Sequence, residues 1–165
     1  MRTLDGREAA DATLHTRFPS GVAAIARTDE NGHDGMLVSS FSIGTSFDPP
    51  LVSFSASHGS STWSRLRTAS HLGVSILGLE HGARTRQLTD PDPRRRFDGI
   101  DVTATATGAL LVDRAPLLLE CRVFAEFPAG DHTVVLLEVE AFDEHPAAAP
   151  LVWHGSRFHT LSAIA

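Results

Sequence analysis

The stretch from Pro116 to Phe142 limits the fold more than any other part of the chain. Leu117, Leu119, Cys121, Val123 and Ala125 alternate with Leu118, Glu120, Arg122, Phe124 and Glu126. That period of two places successive side chains on opposite faces of a strand. Pro128-Ala129-Gly130-Asp131 turns the chain, and His132 to Phe142 answers as the partner strand, with Val135, Leu137 and Val139 on one side. The second half is therefore read as antiparallel β.

Shorter strands are expected upstream at Val22 to Arg27, Gly35 to Phe41, Leu51 to Ser55 and Leu72 to Leu77. Asn31-Gly32 favours a tight hairpin between the first two. Asp48-Pro49-Pro50 forces a turn, because each proline fixes its own φ and biases the residue before it away from helix. Downstream, Pro146 to Pro150 connects to Leu151 to His154, a Gly155 turn and a last strand at Arg157 to Leu161. Helices are predicted over residues 7–17, with Ala10, Leu14 and Phe18 along one face, over Thr62 to Ala69, and over His81 to Leu88. Thr89 to Arg96 reads as a polar, proline-rich loop. Short strands with few helices between them indicate a closed or nearly closed antiparallel barrel, and residues 1–165 read as one domain.

Composition narrows the function classes. A net charge of −6 argues against a partner held through nucleic-acid phosphates. All 14 basic residues are arginine, with no lysine. The single cysteine, Cys121, sits in the alternating run and reads as a small core hydrophobe. No apolar stretch approaches the roughly 20 residues of a membrane helix, and the first residues lack the apolar centre of a signal peptide, so a cytoplasmic location is expected. Neither a dinucleotide-binding glycine fingerprint, a P-loop nor a nucleophile elbow is present. The nine histidines follow no metal-ligand spacing, so no metal is expected. Arg94-Arg95-Arg96 reads either as a solvated loop or as a phosphate contact.

Met36 to Thr62 carries the most informative chemistry. A strand opening runs into Ser39, Ser40, Ser42, Thr45 and Ser46, and a second apolar run leads to Gly59, Ser60, Ser61 and Thr62 at a helix start. Small side chains beside strands let a flat ligand approach the backbone, and hydroxyls at a helix start suit a phosphate. Flavin mononucleotide meets both conditions; simple capping and turn formation explain the same residues.

Set side by side, these motifs resemble the flavin reductase-like family of FMN-binding split β-barrels. Phe18-Pro19-Ser20-Gly21-Val22 is similar to the family's F-P-S/T-G-V opening. Gly35 to Phe41 followed by Asp48-Pro49-Pro50-Leu51 is similar to its G-x-x-x-N-A/S-F and D-P-P-L block. Ser60-Ser61-Thr62 resembles the S-x-T that faces the flavin phosphate; Phe97, Gly130-Asp131-His132-Thr133 and Leu151-Val152-Trp153 with Gly155 and Phe158 resemble later signatures.

The resemblance implies a mainly β, antiparallel Greek-key split barrel that binds FMN, with FAD as the alternative. It implies hydride transfer from NADH or NADPH to the flavin, a homodimer, and supply of reduced flavin to a monooxygenase. Val38, Ser39, Ser40, Phe41, Ser60, Ser61, Thr62, Arg65 and Phe97 would bind the flavin, and His132 would orient or hydrogen-bond the nicotinamide. A flavin carrier or sensor without reductase activity, or a flavin-dependent oxidase or monooxygenase, would use the same fold. Two positions depart from the family: Ser39 replaces a frequent asparagine and Ser61 a frequent basic residue, for which Arg65 one turn on is the expected substitute.

Overall fold

The computed structural model describes residues 13–163. In chain order they form α1 (Thr13–Arg17), β1 (Ser20–Gly21), β2 (Ala23–Asp29), β3 (Gly32–Val38), β4 (Ser42–Phe47), β5 (Pro50–Ser57), α2 (Ser61–Leu66) and β6 (Leu72–Ile76). Three 3-10 turns follow, at Leu79–Arg84, Gln87–Thr89 and Pro93–Arg95. Then come β7 (Val102–Ala104), β8 (Leu110–Val112), β9 (Leu117–Ala129), β10 (His132–Glu144), β11 (Val152–His154) and β12 (Arg157–His159).

The main sheet has seven strands in the order β3-β2-β6-β9-β10-β5-β4, all antiparallel. Its two edge strands, β3 and β4, are joined by only three residues, Ser39, Ser40 and Phe41. From Val38 to Ser42 an extended chain reaches at most about 14 Å. Seven strands laid flat would span about twice that, so the sheet has to curl until its edges nearly meet. Ser40 stitches the seam: its Oγ accepts from the Ser55 N–H at 3.0 Å and donates to the Ser55 carbonyl at 3.3 Å.

Two apolar clusters share β2 between them. Ala23 and Ile25 point inward with Val52, Phe54, Leu72, Val74, Leu119, Cys121, Val135 and Leu137, and Trp63 and Leu66 of α2 plug this interior. Val22, Ala24 and Ala26 point outward against Leu77, Leu88, Phe97, Leu110, Val112 and Leu151. A strand buried on both faces reads as a continuous apolar run, which is what Val22 to Ala26 shows. β8 lies directly over β6, where the Ser75 hydroxyl accepts from the Val112 N–H at 2.9 Å. Gly73 makes that approach feasible, since a Cβ there would sit 2.1 Å from the Leu110 carbonyl oxygen.

The long hairpin is present as expected, with two irregularities. The β9–β10 register shifts beside Phe124 and again beside Glu140. The first shift places Glu126 opposite Val135, on the inner face, although strict alternation assigns it to the outer one. There it accepts from Trp63 Nε1 at 2.8 Å and pairs with Arg67.

Other expectations need correction. The described part of the first helix is five residues long, Leu14 and Phe18 are exposed rather than packed, and Ala10 lies outside the described residues. β3 begins at Gly32 and ends at Val38, earlier at both ends than expected. The sequence reading missed β4, whose serines, threonine and glycine line an exposed sheet edge, and β7 and β8, which are three residues each. Among the described residues no helix is long and apolar enough to cross a membrane.

Two outcomes test this packing. Gly73→Ala should lower stability by about 2–3 kcal/mol or prevent folding, because the added methyl meets backbone rather than a movable side chain; urea unfolding measures it. Cys121 is fully buried, and burial first, then Glu140 and Glu120, pushes its thiol up to about 12. A thiol reagent at pH 8 should therefore label Cys121 only on the timescale of global unfolding, as followed by mass spectrometry.

Candidate active site

The seam opens onto a cleft of about 610 Å³. Val38 and Ser39 form one wall, with Val22 and Leu37 beneath. The second wall is the 3-10 region, contributing Gly82, Ala83, Thr85, Arg86 and Thr89. The third is the β11–β12 hairpin, which presents Trp153, Ser156, Arg157 and Phe158. Gly155 and Ser156 both have φ of 60°, the left-handed pair of a tight two-residue hairpin turn. The Gly155 N–H donates to the Thr16 carbonyl at 2.9 Å, fastening this turn to α1. Trp153 and Phe158 pair across the hairpin with ring centroids 4.8 Å apart.

A second hollow, about 390 Å³, lies beside the start of α2 and includes Ser60, Trp63, Arg67, Glu126 and Thr133. Ser60 is the N-cap of α2, its Oγ accepting from the Trp63 N–H at 3.1 Å. Ser61 is exposed. Thr62 is buried and its hydroxyl accepts from Arg96 Nη1 at 2.9 Å. Arg65 makes a fork on Asp34 of β3, Nε to Oδ2 at 2.6 Å and Nη2 to Oδ1 at 3.1 Å, while Nη1 donates to the Ser61 carbonyl at 3.1 Å. The bond to Asp34 raises the Arg65 pKa, and the guanidinium holds α2 to β3 rather than standing free.

The arginine run divides three ways. Arg94 pairs with its near neighbour Asp92 at the surface, and Arg95 is exposed. Arg96 turns inward, donating to the Gly35 carbonyl at 2.6 Å, the Asp90 carbonyl at 2.8 Å and Thr62. Phe97 follows it into the outer core, where Gly35 makes room: a Cβ on Gly35 would lie 2.7 Å from Phe97 Cζ. Arg96 and Phe97 thus clamp the 89–96 loop onto β3.

His132 opens β10 with a half-exposed side chain, and its Nδ1 is 2.7 Å from Asp131 Oδ1. That bond holds the Asp131 carboxyl below the usual carboxylate range. An ionised carboxylate accepts, so Nδ1 carries the proton and Nε2 is left for a ligand. His132 lies opposite Ser57, and Ser40 docks on Ser55, two residues along β5 and roughly 7 Å away along the strand.

The structure therefore brings Val38 and Ser39 to the cleft with Ser40 beside them and puts Ser60 and Ser61 at the helix start, while His132 stands on the far side of β5 from Ser40 and does not line the cleft. Phe41 packs partly buried against the interior, while Thr62, Arg65 and Phe97 lie within the framework that holds α2, β3 and the loop together. Arg86 and Thr85, which no motif or periodicity marks, were missed as cleft residues. Trp153 and Phe158 carried a signal, as parts of the C-terminal signature.

The flavin reductase like domain matches residues 15–162 of this chain. The chain belongs to the flavin reductase-like family. It is 32% identical over 148 residues to the NADH:FMN oxidoreductase of Rhodococcus erythropolis, covering 87% of this chain and 76% of that one. It is 26% identical over 163 residues to the reductase subunit HsaB of a flavin-dependent monooxygenase of Rhodococcus jostii, covering 94% and 83%. Among solved structures, the NADH:FAD oxidoreductase SgcE6 of Streptomyces globisporus superposes with a TM-score of 0.89 at 26% identity, covering 100% of this chain and 99% of that one. The expected split barrel is the fold this flavin reductase-like chain adopts.

Arg96→Ala should destabilise the protein by about 2–4 kcal/mol, since it orphans several partly buried acceptors at once. Arg94→Ala and Arg95→Ala should each stay within about 0.5 kcal/mol. Thermal denaturation of the three variants checks the division.

Proposed function

We propose that the protein is an NAD(P)H-dependent flavin reductase. The observation that carries this reading is the cleft at the seam: apolar walls from Val22, Leu37, Val38 and Trp153, edged by Ser39, Thr89 and Ser156 and by two guanidinium groups. Such a lining fits a flat heteroaromatic ring with an anionic tail, the shape of FMN or FAD and of a nicotinamide nucleotide. A bound flavin supplies the two-electron redox chemistry, accepting a hydride equivalent from the nicotinamide.

What the chain itself supplies is position. Val38 and Ser39 offer a stiff, narrow wall, because Val38 is buried and Ser40 is stitched to Ser55. Ser60 and Ser61 present hydroxyls at the start of α2, and Phe41, Thr62, Arg65 and Phe97 hold that wall and helix in place. His132, fixed through Nδ1, offers Nε2 as an acceptor when neutral and as a donor when charged. Because the Asp131 carboxyl is depressed, this fixing is complete above the ordinary carboxylate range and is lost as pH falls through the lowered value.

We extend the reading to a single cytoplasmic domain that forms a homodimer and passes reduced flavin to a monooxygenase. Support for a partner comes from aromatic side chains left exposed along the long hairpin, where Phe124, Phe127 and Phe142 are 47%, 53% and 72% exposed. The kinship with a monooxygenase reductase subunit supports the transfer.

Anaerobic mixing with FMN and NADH or NADPH should bleach the flavin absorbance; no bleaching with either nucleotide rejects the assignment. His132→Ala should lower turnover about tenfold or more while changing flavin affinity little. Equal loss of both, or of neither, removes His132 from the nicotinamide.

A further inference from the structure

The charges around the hollows are distributed unevenly. Of the described arginines, Arg27, Arg65, Arg67, Arg94, Arg96, Arg114 and Arg122 each lie within 4.0 Å of a carboxylate. The linings of the two smaller hollows carry both signs, one with Glu126 paired to Arg67, the other with Glu80 and Asp101 paired to Arg114 and with Asp113 and Arg84 beside them. The large cleft is the exception. Its lining includes Arg86 and Arg157 but no Asp or Glu, in a chain whose acidic residues outnumber basic ones 20 to 14.

Both arginines stand on fixed backbone. Arg86 precedes a 3-10 turn in which the Thr89 N–H and hydroxyl both donate to the Arg86 carbonyl, at 3.1 and 2.9 Å. Arg157 leaves the Gly155-Ser156 turn that is fastened to Thr16. They come from different walls, and neither has a carboxylate partner among the described residues. Both are exposed, and two like charges edging one cleft add to a positive field there, which favours an anionic ligand over a neutral one.

We propose that Arg86 and Arg157 form a phosphate clamp on this cleft, taking the phosphate or pyrophosphate of a nucleotide whose ring lies against Val38, Ser39 and Trp153. Guanidinium forks match phosphate oxygens in pairs, and the Ser156 hydroxyl stands beside them as a further donor. The clamp rests on the flavin reductase reading and adds to it the residues that select the anionic end of flavin or dinucleotide. It leaves the helix-start serines with a share of flavin binding that does not depend on these arginines.

Trp153 provides an internal reporter, because it lines the cleft while the other tryptophan, Trp63 on the inner side of α2, is 5% exposed. Quenching of its fluorescence is titrated with FMN and riboflavin, and with NAD and nicotinamide riboside, for the wild type, Arg86→Ala, Arg157→Ala and Arg95→Ala. Trp153→Phe identifies the signal. Each cleft substitution should weaken the phosphorylated member of one pair by roughly tenfold, about 1.4 kcal/mol, and its dephosphorylated counterpart by less than about twofold. Arg95→Ala, an equal loss of charge outside the cleft, should change neither. Selective loss of FMN assigns the clamp to the flavin phosphate, and selective loss of NAD assigns it to the dinucleotide. Unchanged affinities, or equal weakening of both members of a pair, overturn the clamp while leaving the reductase reading in place. A wild type that binds none of the four and bleaches no flavin overturns both.

Discussion

A connection of three residues between the two outermost strands governs this structure. Ser39, Ser40 and Phe41 are too few to cross a flat sheet, so the sheet closes on itself, and everything else is fitted to that closure. The interior becomes a barrel plugged by Trp63 and Leu66. The linker itself becomes exposed, stiff backbone beside a hollow, held by Ser40 rather than by a ladder of its own. Closure and ligand wall are one feature, which is why small hydroxyl residues are concentrated there.

Much of this was legible in the residues, and the reasons differ by element. The β9–β10 hairpin and β6 are long or well buried, so their alternation is plain in the chain. β4 was illegible because an exposed edge strand imposes no apolar periodicity, and β8 because its three residues lie across another strand. Glu126 was assigned to the wrong face because a one-residue bulge reverses every side chain beyond it. No pattern in a single sequence marks where such a bulge falls.

The site shows the same division. Motif resemblance pointed to Val38 and Ser39, which line the cleft, as well as to Ser40 and His132, which do not. It did not separate residues that face a ligand from those that hold the facing residues still. Thr62, Arg65 and Phe97 belong to the second kind, tied into Arg96, Asp34 and Gly35. Nor did it find Arg86, whose meaning comes only from the missing carboxylate across the cleft, a relation between residues distant in sequence. The reverse error touches the arginine triplet, in which identical neighbours have three different environments.

The C-terminal hairpin does not belong to the barrel sheet; it pairs with β1 in a separate three-stranded sheet. Its links back include the Leu151 N–H to Leu77 carbonyl bond, the Gly155 N–H to Thr16 bond and the β1 register with Val152 and Trp153. One side of the cleft is thus rooted in the deepest core, and the other hangs from a short row of backbone bonds near the surface. The two sides differ in local stability: Leu151 and Trp153 keep the base of the hairpin on the outer core, its exposed turn end is held by fewer contacts, and the seam wall cannot move without unrolling the whole sheet. The turn end, from His154 to Arg157, is therefore the part of the cleft wall whose displacement costs the barrel least.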